Sequence, residues 1–307
     1  MPKTEPQTSD AAPTSGTAES PGQGPGGRRL GDLVRSVPGP LIGLVVIFIA
    51  LSFMSPFFLT TRNLLNIITQ VSDIGIMAVG AAMVIIIGGI DLSVGSTLAL
   101  SMMTMAWLFK IQGWPFFGAL LVGLLIGALV GLINGLLSTY ARIQPFVATL
   151  ATMSACAGLA LFITNGNPVT QFPDWFLELT NADVLGFPLE GIILIATYLI
   201  AAFWLRFRPT GRALYAIGGN EEVARLSGIN VRALKVRVYV TAGLLASLAG
   251  LIVTSRLDSA APTAGTADLL NIITQVSDIG IMAVGAAESR RDTTIRPATA
   301  ARIPAVT

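Results

Sequence analysis

The stretch FFGALLVGLLIGALVGLINGLLST, residues 116–139, decides the fold class of this chain. It lies inside a run that contains no charged residue from Ile111 to Ala141. A helix needs about 20 consecutive apolar residues to cross the hydrocarbon core of a bilayer, so this stretch is long enough to span it. Its apolar residues are continuous rather than alternating, which favours a helix over a strand of a membrane barrel.

Four further windows without charge lie at 36–61, 92–109, 143–173 and 238–255. The whole chain of 307 residues is 53% hydrophobic and only 12% charged, whereas soluble domains carry about 25% charged residues. We therefore predict an all-α, polytopic transmembrane helix bundle of about 7–8 spans. The predicted spans are 40–59, 64–89, 93–110, 116–139, 144–164, 189–206 and 238–255, with 269–287 as an eighth candidate.

The residue types exclude several kinds of chemistry. The chain has no histidine and one cysteine, Cys156, which excludes Ser/His/Asp triads, CxxC motifs and histidine-ligated zinc. We expect no catalytic residue, no metal and no resident cofactor. The net charge of +2 gives no bulk electrostatic support for a nucleic-acid partner.

The distribution of Lys and Arg predicts the orientation. The loop 165–188 contains no Lys or Arg, whereas 207–237 is rich in both, and basic loops remain in the cytoplasm. This places 207–237 and the N-terminus inside the cell. We predict that 1–37 forms a disordered cytoplasmic tail ending in a short interfacial helix, that 38–287 is the transmembrane domain, and that 288–307 is an irregular tail.

An exact repeat interrupts this pattern. Residues 64–82 read LLNIITQVSDIGIMAVGAA, and residues 269–287 are identical to them. Ancient duplications in transporters leave weak similarity rather than identity. A recent event, such as recombination, a cloning scar or an assembly error, is therefore the favoured explanation of the second copy and of the unpatterned tail after it.

Polar residues within the predicted spans are candidates for a substrate path or gate. Asp91 and Ser93 lie in GGIDLSVGS, residues 88–96, and Asn66, Gln70 and Asp73 form a stripe at helical spacing. Acidic residues at membrane depth are functional candidates by default. The alternatives are helix capping by Asp91 or Ser93 and hydrogen bonds between helices for the stripe. Glycines at every fourth position of 123–135 predict either close helix packing or a smooth wall of the passage.

The cytoplasmic segment contains a short predicted helix. Asn220 suits its N-cap, Glu221 and Glu222 suit its positive end, and Gly228 suits its termination. Such a short helix is unstable alone in water and needs a surface to pack on. That surface is either the membrane domain of the same chain or a cytosolic partner.

Several long motifs carry a resemblance to a known family. They are GGIDLSVGS (88–96), ARIQPFVATLATMSACAGLALFITNGNPV (141–169), GRALYAIGGNEEVARLSGINV (211–231) and VYVTAGLLASLAGLIVTSRLDSAAPTAG (238–265). In this order they resemble the permease subunits of ribose/xylose/galactose-type ABC importers over about 40–265. After Gly265 the chain departs from the family pattern and re-enters the repeated stretch.

The resemblance implies a function and partners. It implies a permease subunit in the bacterial inner membrane that forms the path for a monosaccharide, and that pairs with a second permease in a lipid bilayer. A solute-binding protein would deliver the sugar and a separate ATPase subunit would bind ATP, since this chain has no phosphate loop. The implied ATPase-coupling segment comprises Asn220, Glu221, Glu222, Ala224, Arg225 and Gly228. A branched-chain amino-acid permease and a rearranged product with impaired transport are the alternatives.

Overall fold

A computed structural model of the protein describes residues 39–184 and 186–265. Contacts divide the chain into two units, residues 1–47 and 48–307. The described residues form ten helices: α1 (Gly39–Met54), α2 (Thr61–Ile86), α3 (Val94–Lys110), α4 (Phe116–Thr139), α5 (Pro145–Ile163), α6 (Asp174–Asn181), α7 (Leu189–Phe207), α8 (Pro209–Gly219), α9 (Glu221–Leu226) and α10 (Val231–Leu257). The predicted tail 1–37, the eighth span 269–287 and the tail 288–307 lie outside the described residues.

Each of the seven predicted spans overlaps one helix, and the number of spans stays a prediction. Among the described residues, five helices are long and apolar enough to cross a membrane, namely α2, α4, α5, α7 and α10. The helices α1 and α3 are apolar but shorter, with 16 and 17 residues. The prediction of an all-α, polytopic membrane protein is therefore confirmed.

The last span begins earlier than its apolar window suggests. The helix α10 starts at Val231, whereas charge spacing predicts a start at 238. The Asn230 side chain accepts a hydrogen bond from the Ala233 amide at 3.1 Å, which caps the helix there. The charged residues of 231–237 therefore occupy the first two turns of a spanning helix and not a loop.

Close backbone contact between α4 and α10 forms the centre of the second unit. A Cβ atom on Gly135 would lie 2.9 Å from Val236 Cα, and one on Gly131 would lie 2.8 Å from Val240 Cα. Any side chain on this stripe would push the two helices apart. Of the two readings of the glycine pattern, the structure supports close helix packing.

The segment 165–188 contains one helix and short strands. The strand β1 (Val169–Thr170) pairs antiparallel with β4 (Ser259–Ala260), and β2 (Asp183–Val184) pairs antiparallel with β3 (Phe187–Pro188). The Phe116 ring lies 4.9 Å from the Trp175 ring and 4.8 Å from the Phe176 ring. These aromatic rings hold α6 against the start of α4, as expected for side chains at a membrane interface.

Substitution of Gly131 by alanine should destabilise the bundle. The added methyl group would overlap the main chain of α10, and overpacking of a rigid core costs about 1–3 kcal/mol. We expect a lower midpoint of thermal unfolding for Gly131→Ala in detergent. The control is Gly158→Ala on α5, where an added Cβ meets no atom within 4 Å. An equal change in both variants would contradict the packing role of Gly131.

Candidate functional site

Three charged side chains from three helices meet at one end of the bundle. Arg256 of α10 donates hydrogen bonds to Asp73 Oδ2 on α2 at 3.0 Å and to Glu190 Oε2 on α7 at 3.2 Å. The same guanidinium donates to the Thr69 carbonyl at 2.7 Å. We call Asp73, Glu190 and Arg256 the charged triad. It joins the middle of α2 to the start of α7 and the end of α10, and these two helix ends are predicted to face the outside of the cell.

The two carboxylates of the charged triad are almost completely removed from solvent, whereas the side chain of Arg256 is 20% exposed. The side chain of Asp73 is 6% exposed and that of Glu190 is 1% exposed. One guanidinium faces two carboxylates. The second oxygens, Asp73 Oδ1 and Glu190 Oε1, are buried and have no hydrogen-bond partner among the described residues. Buried charges are tolerated only when they are paired. Arg256 therefore holds the end of α10 to the start of α7 and to the middle of α2.

A second polar cluster lies at the opposite end of the bundle. Asp91 Oδ1 accepts hydrogen bonds from the Ser93 amide at 2.9 Å and from Ser93 Oγ at 2.6 Å. Asn134 Nδ2 of α4 donates to Ser93 Oγ at 2.7 Å, and Thr152 Oγ1 of α5 donates to Asn134 Oδ1 at 2.7 Å. We call Asp91, Ser93, Asn134 and Thr152 the polar chain. It fixes the segment between α2 and α3 to both α4 and α5.

Ser93 lies at the N-cap position of α3 but does not cap it. Its side chain makes no capping hydrogen bond, and its backbone is already helical. Asp91 instead closes a local turn by accepting from the Ser93 amide, the usual use of aspartate in turns. The capping interpretation of these two residues is therefore wrong, because the Ser93 hydroxyl is engaged by Asp91 and Asn134.

The five residues predicted to form a substrate path or gate do not lie together in the structure. Asn66 and Gln70 are exposed, whereas Asp73 on the same helix is buried in the charged triad. Asp91 and Ser93 lie in the polar chain. Sequence analysis missed Glu190, Arg256, Asn134 and Thr152, although a charged residue at the edge of a long apolar run was a usable signal for the first two.

The predicted cytoplasmic helix is present as α9. Asn220 Oδ1 accepts from the Val223 amide at 3.0 Å, and Gly228 has a φ of 83°, a conformation that glycine adopts at low cost. Asn220 and Gly228 therefore have the N-terminal and C-terminal capping roles that the sequence predicts.

The two faces of α9 differ sharply. Ala224 is 2% exposed and packs in the same cluster as Leu214 and Leu234. Val223 and Leu226 are 57% and 77% exposed. The prediction that this helix packs on its own chain is confirmed for the face that carries Ala224. The other face presents apolar side chains to the surroundings, and docking of a cytosolic partner there stays a prediction.

Ion pairs stiffen this region. Lys235 of α10 donates to Glu221 Oε2 at 2.6 Å. Arg225 forms a bidentate ion pair with Glu222, in which two guanidinium nitrogens donate to the two carboxylate oxygens. Hydrogen bonds and the positive charge from Arg225 lower the pKa of Glu222 below its usual value. The carboxylate of Glu222 is therefore ionised at neutral pH, and α9 presents charged side chains around its exposed apolar ones.

Known proteins resemble this chain over most of its length. A family model described as "branched-chain amino acid transport system / permease component" matches residues 63–287, a range that includes both copies of the repeat. The ribose import permease protein of Bacillus subtilis (strain 168) is 45% identical over 240 residues, which cover 78% of this chain and 74% of the relative.

Two further relatives point in the same direction. The ribose import permease protein of Haemophilus influenzae is 42% identical over 239 residues, covering 76% of this chain and 74% of the relative. The D-allose transport system permease protein of Escherichia coli (strain K12) is 37% identical over 228 residues, covering 74% of this chain and 70% of the relative. No solved structure matches the chain significantly.

Removal of the Arg256 charge should strongly destabilise the protein. Arg256→Gln leaves two buried carboxylates without a counter-charge, and breaking a buried ion pair in this way costs about 3–5 kcal/mol. We expect a large fall in the midpoint of thermal unfolding in detergent.

Two further variants test whether unpaired charge is the cause. Adding Asp73→Asn and Glu190→Gln to Arg256→Gln should recover most of the lost stability, since no charge then remains buried. Arg62→Gln, at an exposed position of α2, should leave the unfolding midpoint unchanged. A triple variant no more stable than Arg256→Gln alone would argue against the electrostatic explanation.

Proposed function

Because the chain belongs to the branched-chain amino acid transport system / permease component family, we propose that it is the membrane-spanning permease subunit of an ATP-driven (ABC) importer for a monosaccharide. The observation that carries this proposal is the 42–45% identity to ribose import permeases across about three quarters of the chain. Relatives of this kind are transport components and not enzymes. The chain is a multi-pass protein of the inner membrane.

A sugar is favoured over a branched-chain amino acid. The family description names amino acids, but the relatives with 37–45% identity are named for ribose and allose. The amino-acid alternative has only the breadth of the family description in its support. The aromatic and polar residues near the outer end of the bundle suit a neutral, hydroxyl-rich substrate that is delivered by a separate binding protein.

We assign the substrate path to the face of α2 that carries Asn66 and Gln70. Both side chains are exposed at the outer half of that helix, and amides offer both donors and acceptors to sugar hydroxyls. Asp73 keeps the neighbouring helix ends together through Arg256. At the inner end, Asp91 and Ser93 form a gate segment that the polar chain attaches to α4 and α5.

The exposed side of α9 is the proposed docking surface for the ATPase subunit. Val223 and Leu226 supply apolar contacts, and Glu221, Glu222 and Arg225 supply charge. Ala224 anchors the helix to its own chain, and Asn220 and Gly228 define its ends. ATP binds to the ATPase, whose closure would move α9 and rock the spans between outward-open and inward-open arrangements.

We also propose the topology of the chain and the composition of the complete importer. We propose that α1 and α3 also cross the bilayer, which gives seven spans before Gly265 and leaves 269–287 as an eighth, and that the N-terminus is cytoplasmic. Two permeases, two ATPase subunits and a solute-binding protein would form the importer. The identical repeat supports a second candidate, in which the chain is a rearranged product whose assembly, and hence transport, is impaired.

Alanine substitution of Glu222 and Arg225 together should weaken association with the ATPase subunit. The two side chains form the charged part of the exposed surface, and we expect at least about a fivefold loss of affinity, equivalent to about 1 kcal/mol. Co-purification and biolayer interferometry in detergent measure this with the ATPase encoded beside the chain. Lys110→Ala, at the other end of the bundle, is the control. Unchanged affinity for the ATPase in the double variant would refute the docking assignment.

The substrate class can be decided with the solute-binding protein encoded with the chain. We expect titration calorimetry to detect binding of ribose or a related monosaccharide and none of leucine, isoleucine or valine. The substrate class follows from that protein because it selects the solute before delivery. Binding of the amino acids alone would replace the sugar proposal with the branched-chain amino-acid alternative.

A further inference from the structure

A groove of about 790 Å³ opens between α2, α4, α7 and α10. We call it the inner groove. Its lining residues include Val79 on α2, Leu132 on α4, Ala201 on α7 and Val240 on α10. All lie in the half of their helix that is predicted to be cytoplasmic, so the inner groove has the depth of the inner leaflet. Its volume lies within the range of about 300–1,000 Å³ that is usual for ligand pockets.

The walls of the inner groove offer nothing to a polar molecule. The hydroxyl of Thr197 donates to the Ile193 carbonyl at 2.8 Å, and that of Thr241 donates to the Arg237 carbonyl at 2.9 Å. These two threonines are therefore already satisfied by their own helices. Most other lining side chains are aliphatic. A monosaccharide would find few partners along these walls, whereas a hydrocarbon chain would fit them.

Hydrogen-bond donors collect at the cytoplasmic end of the inner groove. Arg237 of α10, Thr210 of α8 and Trp204 of α7 line it there. The described residues show no hydrogen bond from any of these three side chains and no ion pair to Arg237. Among the described residues no Asp or Glu lines the groove. Within that part of the chain, the groove therefore ends in a guanidinium without an ion-pair partner, beside an indole N–H and a hydroxyl.

From this arrangement we propose that the inner groove is a binding site for one anionic phospholipid of the inner leaflet. The acyl chains lie along the aliphatic walls, and the phosphate accepts hydrogen bonds from Arg237, Thr210 and Trp204. Basic pockets between transmembrane helices on the cytoplasmic side hold anionic headgroups by this chemistry, and tryptophan favours this depth. The proposal rests on the membrane orientation argued above and is independent of the transported substrate.

The bound lipid would contact both α8 and the two long helices α7 and α10. The walls of the inner groove include α7 and α10, which come before and after the segment predicted to be cytoplasmic. Thr210, at the end of the groove, belongs to α8, which leads directly into α9. Occupation of the groove would hold α8 near α10. The anionic lipid is thus placed where it stabilises the segment that presents the ATPase docking surface.

Native mass spectrometry of the full chain tests this proposal. The protein is reconstituted into nanodiscs of phosphatidylcholine with one fifth phosphatidylglycerol, and the fraction released with bound phosphatidylglycerol is measured. We expect the wild type to retain one phosphatidylglycerol. Arg237→Gln should reduce that retention about fivefold, the factor expected when one basic contact to an anionic lipid is lost, and Arg237→Lys should keep most of it.

Matched control variants distinguish a specific lipid site from non-specific attraction of anionic lipid to basic surface residues. Arg232 is exposed on the same helix, with its guanidinium 5.8 Å from the Tyr140 ring centroid, so Arg232→Gln should leave lipid retention unchanged. Ala201→Phe keeps every charge but fills the inner groove and should abolish retention. Monodisperse elution and an unchanged unfolding midpoint establish that each variant is folded.

Two results would overturn the proposal. Equal loss of phosphatidylglycerol in Arg232→Gln and Arg237→Gln would mean that the surface attracts lipid without a site. A change in the mass of the solubilised particle in Arg237→Gln, with lipid retention unchanged, would mean that a second copy of the chain occupies the groove.

Discussion

The close approach of α4 and α10 is the contact on which the rest of the second unit depends. Inside a bilayer there is no hydrophobic driving force between helices, so packing must supply the attraction. Gly131 and Gly135 allow the backbone of α10 to lie directly against α4. This contact fixes α10 in the middle of α2, α3 and α4, and thereby places the functional residues at both of its ends.

The two ends of α10 connect different parts of the protein. At its N-terminal end Lys235 is paired with Glu221 of α9, and at its C-terminal end Arg256 is paired with Asp73 and Glu190. The Lys235–Glu221 pair is partly solvent-exposed, with side chains 22% and 57% exposed, and contributes little stability by itself. The two carboxylates paired with Arg256 are buried, and loss of the guanidinium leaves their charge without a partner. A displacement of α9 would therefore act on a helix that is firmly held at the far side.

The polar residues of the spans and of α9 fall into two groups. Some are buried and form hydrogen bonds or ion pairs between helices, and others are exposed. Asn134 links Ser93 to Thr152 and is fully buried, so its amide is used entirely by the fold. Asn66, Gln70 and the outward side of α9 are exposed and free to meet a substrate or a partner. A polar residue within an apolar run could be recognised in the sequence. The sequence did not indicate whether its side chain joins helices or is exposed.

The sequence by itself determined the fold class, the positions of seven apolar helices, the caps of α9 and the family, because these depend on local composition and on short motifs. It did not determine which charges meet. Asp73, Glu190 and Arg256 are separated by 66 to 183 positions, and only the packing of α2, α7 and α10 brings them together. The helical start at Val231 is set locally by the Asn230 cap, which charge spacing does not reveal. The tertiary structure decided that Ala224 faces its own chain, since this depends on contacts made after the helices have assembled.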